Sequence, residues 1–136
     1  MEFFRIVDVE TSEDSITGIL TLKNLEKMSD ELIVLDQIDD NTAFIGGIWG
    51  EFTLERSIIK GGLRFALKEC PNALAWTITT GYPPATDALV VHLTINRKEK
   101  PFDFIEEVEA FLEDHCNKLS TLFLKMSINP GIESKA

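Results

Sequence analysis

LAWTITT (residues 74–80) and LVVHLTI (residues 89–95) are the two segments that decide the fold of this chain. In both segments large apolar side chains occupy every second position, and many of the residues are β-branched. This pattern is typical of strands with one buried face. The loop between them contains Pro83 and Pro84, and adjacent prolines fix φ and remove backbone donors. The sequence therefore predicts two strands that pair antiparallel across a rigid loop.

A helical pattern follows in PFDFIEEVEAFLEDHCNKL (residues 101–119). Apolar side chains recur there at spacings of three and four, which marks one face of an amphipathic helix: Ile105, Val108, Leu112, Cys116 and Leu119. Strands followed by a closing helix indicate an α+β domain, an antiparallel sheet with a C-terminal amphipathic helix packed on one face. We expect a single domain over 1–128 and a flexible tail over 129–136.

The N-terminal third gives weaker patterns. Residues 3–9 and 16–22 are predicted to be strands, the second because β-branched residues dominate it. Residues 24–38 are ambiguous, with a helix favoured by apolar spacing. Ser29, Asp30 and Glu31 could instead cap a shorter helix, or precede a strand over 32–35.

The segment 42–49 is predicted to be a strand, and 50–69 a hairpin that turns at Gly61 and Gly62. A helix over 54–69 is the rival interpretation, because apolar residues there also fall on one helical face. Two interior glycines would cost such a helix about 2 kcal/mol relative to alanine. That penalty favours the hairpin.

Charge is the strongest functional signal. The chain has 23 acidic and 13 basic residues, for a net charge of −10. Such a charge disfavours broad binding to nucleic acid or anionic membranes. Acidic residues concentrate in 1–55, with 13 acids against 3 bases, and in 101–117, with six acids and no base. Either these are solvated surfaces that maintain solubility, or they match a cationic partner.

No catalytic or cofactor motif is recognisable. The paired glycines lack the lysine and third glycine of phosphate-binding loops, and no Cys or His pair has metal-ligand spacing. Cys70 and His92 could form a nucleophile and base, but nothing in the sequence brings them together. We therefore predict a non-enzymatic protein without metal or cofactor. The absence of a signal-peptide pattern and of a disulfide framework favours the cytoplasm.

Three large aromatic residues differ in their surroundings. Trp76 alternates with the core face of its predicted strand and is interpreted as packing. Trp49 lies between glycines, and Tyr82 lies in a proline-rich loop. Tyr and Trp at such exposed places are favoured anchors of protein interfaces.

The stretches GGLR (61–64) and CPNALAWTITTG (70–81), in a small acidic α+β domain without catalytic residues, resemble bacterial immunity proteins of polymorphic-toxin and contact-dependent inhibition systems. The resemblance implies a cytoplasmic protein that binds one cognate toxin domain, for example by covering a basic nuclease site. It assigns no individual residues.

We accordingly expect a partner with a basic surface to bind one of two sets of carboxylates, with Trp49 or Tyr82 as the anchor. The candidate carboxylates are Asp39, Asp40, Glu51 and Glu55 in one set, and Glu106, Glu109, Glu113 and Asp114 in the other. The alternative is a small-ligand-binding domain, or a homodimer that uses an exposed strand edge, and the apolar, β-rich segment 74–95 supports this alternative.

Overall fold

The computed structural model describes residues 1–47, 49–71, 73–81, 85–96 and 102–128. The strands are β1 (Glu2–Val7), β2 (Leu32–Gln37), β3 (Thr42–Gly47), β4 (Gly50–Ile59), β5 (Gly62–Lys68), β6 (Ala75–Gly81) and β7 (Ala85–Thr94). The helices are α1 (Glu13–Ile19), α2 (Leu25–Met28) and α3 (Phe102–Ile128), and a 3₁₀ turn spans Leu22–Asn24. The segment 129–136, predicted to be a flexible tail, lies outside the described residues.

The strands form one seven-stranded antiparallel sheet in the order β1-β7-β6-β5-β4-β3-β2. The predicted fold class, an antiparallel sheet with a C-terminal helix, is confirmed. Strands β6 and β7 pair with each other as expected, but each also has a second partner. Neither β6 nor β7 is therefore an edge strand, because the edges of the sheet are β1 and β2. A homodimer that uses an exposed strand edge stays a prediction.

Strand alternation separates an inner face, covered by the helices, from an outer face. Inner-face residues of the central strands are fully buried, including Phe65, Trp76 and Ile78. They meet the buried stripe of α3, which consists of Val108, Phe111, Leu112, His115, Leu119 and Phe123. The packing role predicted for Trp76 is confirmed. None of the described helices combines the length and apolar character needed to cross a lipid bilayer.

The hairpin between β4 and β5 confirms the interpretation based on the two glycines. Gly61 has φ +88°, a left-handed conformation that suits glycine. A Cβ on Gly62 would collide with the carbonyl oxygen of Ile78 on β6, so this position tolerates only glycine without a backbone shift.

The strand predicted over 16–22 is wrong, because α1 and the 3₁₀ turn occupy that segment. The Ser12 hydroxyl accepts a hydrogen bond from the Ser15 backbone N–H at 3.0 Å, and Glu13 and Asp14 stand in the first turn. A side-chain cap with acids at the helix N-terminus outweighs the β-propensity of the residues that follow. Ile16 and Leu20, four residues apart, are buried against the sheet.

The helix favoured over 24–38 is also wrong, and the alternative of a strand over 32–35 is confirmed. Helix α2 ends at Met28, Ser29 is extended, and β2 runs from Leu32. The reason lies far along the chain. The Asp114 carboxylate on α3 accepts hydrogen bonds from the Ser29 hydroxyl at 2.7 Å and the Asp30 N–H at 2.9 Å. These bonds hold the chain in a turn where the helix would otherwise continue.

Arg56 on β4 joins α1 to the sheet and provides a test of this arrangement. Its Nη2 and Nε donate to the carbonyl oxygens of Thr17 and Leu20 at 2.6 and 2.8 Å. Replacing it, as in Arg56→Met, should lower the free energy of unfolding by about 1–2 kcal/mol, because two helix-end carbonyls lose a charged donor. Arg64→Met on the outer face is the control and should change stability by less than about 0.5 kcal/mol in urea titrations. Equal losses of stability in Arg56→Met and Arg64→Met would contradict the role assigned to Arg56.

Candidate functional site

An aromatic cluster lies between α3 and the inner face of the sheet. Phe111 stands at its centre, with ring centroids 5.2 Å from Trp49, 5.3 Å from Trp76 and 5.3 Å from His115. Both tryptophans meet Phe111 edge-on, and His115 stacks on it. Edge-to-face and offset-stacked pairs are the favoured arrangements for aromatic rings. The cluster is therefore well packed through its apolar atoms.

His115 is a neutral acceptor inside this cluster. Its side chain is fully buried, and its Nδ1 lies 2.6 Å from the carbonyl oxygen of Met28. Because a carbonyl can only accept, Nδ1 carries the proton. Burial lowers the pKa of His115 to about 4, although the Met28 carbonyl and the Asp114 carboxylate act in the opposite direction. At neutral pH the ring is therefore uncharged, and Nε2 presents a lone pair.

Three ring nitrogens in the cluster have no hydrogen-bond partner among the described residues. They are Nε1 of Trp49, Nε1 of Trp76 and Nε2 of His115, and all three are buried atoms. The two indole nitrogens can only donate, whereas the imidazole nitrogen can only accept. Each such buried group costs about 1–3 kcal/mol when it is left unpaired. Among the described residues, the cluster thus contains two donors and one acceptor that are unpaired.

The cluster extends from the surface to the core. Phe104 and Trp49 are half-buried at the N-terminal end of α3, with ring centroids 6.4 Å apart. His115 lies eleven residues further along the helix, about 16 Å at the α-helical rise. Trp49 and Phe104 thus form the partly exposed end of the cluster.

The first set of predicted carboxylates lies near β2–β4. Asp39 and Asp40 are exposed in the turn between β2 and β3, while Glu51 and Glu55 are exposed on the outer face of β4. Burial lowers the pKa of Arg56, and the charge of the Asp40 carboxylate partly opposes that shift. Glu55 pairs with Lys68 at 3.7 Å. The fold thus brings this set to one region, with part of its charge offset.

The second set lies on α3, across the domain from the outer face of the sheet. Glu106, Glu109 and Glu113 are exposed and share one helix face. Asp114 is instead turned toward Ser29 and Asp30, where its carboxylate holds the turn before β2. The structure therefore gives Asp114 an internal role and separates it from the other three.

Of the two predicted anchors, Trp49 and Tyr82, only Trp49 lies among the described residues. The Trp49 ring points inward, against Phe104 and Phe111, because the β3–β4 turn folds beneath α3. Trp49 is therefore half-buried, and its role as an anchor stays a prediction. Tyr82 lies outside the described residues. His92, considered with Cys70 as a base, stacks on Phe4 at 4.1 Å and pairs with Glu2 at 2.9 Å on the outer face.

Sequence reasoning missed the central members of the cluster. Phe111 and His115 were not included in the predicted apolar stripe, which named Leu112 and Cys116 instead. The signal available was their four-residue spacing, which places both on one helix face. A histidine is easily taken for a solvent-facing residue when its neighbours are acids.

The comparisons with known proteins concern the fold. No protein-family model matches the sequence, and no curated protein does. The architecture is similar to that of a START superfamily protein from Mycobacterium smegmatis, with TM-score 0.59 and 14% identity over 92% of this chain and 98% of that one.

Two further solved structures have the same architecture. They are XoxI from Bacillus cereus, with TM-score 0.64, and an uncharacterised protein from Bacillus thuringiensis, with TM-score 0.63. Each is 11% identical to this chain; XoxI matches over 93% of this chain and 97% of its own, the other over 91% and 99%. At such identities the likeness shows a common fold alone.

Proposed function

We propose that this domain binds a small, uncharged and largely apolar molecule that carries one hydroxyl group, held between α3 and the inner face of the sheet. The observation that carries the proposal is the set of three buried ring nitrogens around Phe111 without a partner among the described residues. A binding protein of this kind needs apolar walls and a few placed polar groups.

The polarity of the site selects the ligand. A hydroxyl can donate to Nε2 of His115 and accept from the indole N–H of Trp49 or Trp76, so one group satisfies atoms of both kinds. A carboxylate has no proton to give to Nε2, and a buried charge without a cationic partner is costly. Aromatic rings around these atoms favour a ligand with a flat apolar body.

The probe 2-naphthol tests this proposal, with naphthalene and 2-naphthoate as comparisons. We expect 2-naphthol to bind at least about tenfold more tightly than naphthalene, because each satisfied buried nitrogen returns about 1–3 kcal/mol. Binding of 2-naphthoate should be weaker than that of 2-naphthol. Isothermal titration calorimetry at pH 7 gives all three affinities. Equal affinity for 2-naphthol and naphthalene, or no binding of either, would contradict the proposal.

A variant pair locates the binding. Trp76→Phe keeps an aromatic ring and removes one donor, so the preference for 2-naphthol over naphthalene should shrink. Thr77→Val is the matched control, since Thr77 is the next residue on β6 and faces the opposite side of the sheet. A preference that fell equally in both variants would place the binding elsewhere.

A second candidate is the neutralising protein implied by the resemblance to immunity proteins. It is favoured by the exposed face of α3, where Glu106, Glu109 and Glu113 stand together without a basic residue between positions 101 and 117. A toxin domain encoded beside this gene would be the partner to test. Its association rate should fall steeply as salt is raised, and a rate independent of salt would exclude steering by this surface.

A further inference from the structure

An apolar patch interrupts the outer face of the sheet at β2 and β3. Most outer-face residues of the central strands are polar, such as Thr53, Thr77 and Thr79. At one end, however, Ile33 is 55% exposed, Leu35 48% and Phe44 37%. We name Ile33, Leu35 and Phe44 the β2–β3 patch. Contiguous exposed apolar side chains with polar surroundings are typical of interaction sites.

Gly46 lies beside two members of this patch, Ile33 and Leu35. It stands opposite Ile33 on β2 and opposite Glu51 on β4. A Cβ placed there would lie 3.5 Å from Cδ1 of Leu35 and 3.9 Å from Cγ of Glu51. The missing side chain leaves a groove of about 440 Å³ with Leu35 on one side and Glu51 on the other.

The surroundings of the groove are acidic. Residues 28–55 contain seven acidic residues and no basic residue. Asp30, Glu31 and Glu51 line the groove itself. Asp30 is paired with Lys118 at 3.2 Å, so Glu31 and Glu51 carry most of the local negative charge. An apolar centre with a charged rim is the usual anatomy of a protein interface.

The free edge of β2 is unfavourable for an added strand. The backbone N–H of Val34, which points away from β3, donates to Oε2 of Glu26 at 2.8 Å. The ladder between β2 and β3 is also irregular between Val34 and Asp36. A partner therefore meets the face of the sheet and not its edge, which suits a helix more than a strand.

We propose that the β2–β3 patch binds a basic amphipathic helix of another protein, with its apolar side chains over Gly46 and its lysines or arginines beside Glu31 and Glu51. The argument rests on charge complementarity around an exposed apolar groove. It depends on neither of the functions proposed above, since the site is on the outer face of the sheet.

A synthetic amphipathic helix of leucine and lysine, about 18 residues or five turns long, is the probe. Titration into ¹⁵N-labelled protein should shift the amides of β2, β3 and the start of β4. The double change Ile33→Ser with Leu35→Ser should weaken binding by at least about tenfold, because the apolar anchors carry the affinity. The matched control, Ile6→Ser with Ile58→Ser, removes side chains that are 69% and 59% exposed elsewhere. It should change the affinity by less than about twofold.

A charge pair completes the test. Glu51→Lys should weaken binding by about tenfold at low salt, whereas Glu106→Lys on α3 should leave it nearly unchanged. The proposal would be overturned by amide shifts confined to α3. It would also be overturned if a lysine–serine peptide bound as tightly as the leucine–lysine peptide, or if the Ile6 and Ile58 control weakened binding as much as the Ile33 and Leu35 change. A dimer that the Ile33 and Leu35 changes dissociate would overturn it as well, because a second copy of this chain would then be the occupant.

Discussion

Phe111→Ala should lower the free energy of unfolding by about 3–5 kcal/mol, which corresponds to a fall in melting temperature of roughly 10–20 °C. The loss is large because Phe111 is fully buried and its ring contacts Trp49, Trp76 and His115. Removal of the ring leaves a cavity whose walls are held by the sheet and by α3. Thermal and urea unfolding, followed by circular dichroism, measure the effect.

Phe4→Ala is the control for this change. Phe4 is 56% exposed on the outer face and stacks on His92. Its truncation should cost only about 1 kcal/mol, the value of an exposed aromatic contact. If Phe111→Ala were no more destabilising than Phe4→Ala, Phe111 would not be the centre of the cluster.

Protonation of His115 should destabilise the fold by about 3 kcal/mol between pH 7 and pH 4. The pKa of His115 is lowered to about 4 by burial, and that of an unfolded histidine is about 6.5. Between these values the unfolded chain binds a proton that the folded chain does not. The stabilisation is therefore fully present above about pH 6.5 and is lost as the pH falls toward 4.

The variant His115→Phe isolates this contribution from the titration of the carboxylates. It retains a ring stacked on Phe111 and removes the ionisable group. Between pH 7 and pH 4 the free energy of unfolding of the native protein should fall by about 3 kcal/mol more than that of the variant. NMR titration of the His115 ring provides a direct check. A midpoint above pH 6 would mean that His115 is not in a dry environment.

The sequence predicted the elements whose local patterns agree with their tertiary surroundings. Strands β6 and β7 alternate cleanly, Gly61 supplies the turn between β4 and β5, and α3 has a regular apolar stripe. In each case the residues that determine the element are adjacent along the chain. The hydrophobic period and the turn residue were therefore enough.

The remaining elements depend on contacts that are distant in sequence. Helix α2 stops at Met28 because Asp114 holds the following turn, and no local pattern reports a partner on another helix. Helix α1 was missed although Ser12, Glu13 and Asp14 were available as start signals, since a run of β-branched residues suggested a strand. Trp49 faces inward only because its turn lies under α3.

The candidate site was harder to predict than the fold. Charge counts drew attention to Glu51 and to the acids of α3, but they do not show which carboxylates adjoin exposed apolar side chains. The ring nitrogens of Trp76 and His115 acquire meaning only when the described residues around them are known to hold no partner for them. Such a property follows from three-dimensional packing and is not encoded in a spacing.

The indole N–H resonances test the proposed ligand site most directly. The chain has two tryptophans, and both belong to the aromatic cluster, so a ¹H–¹⁵N spectrum reports each donor separately. On addition of 2-naphthol, at least one of the two indole resonances should move downfield, while naphthalene should not produce that downfield shift. If 2-naphthol left both resonances in place, the nitrogens around Phe111 would not be a ligand-binding site.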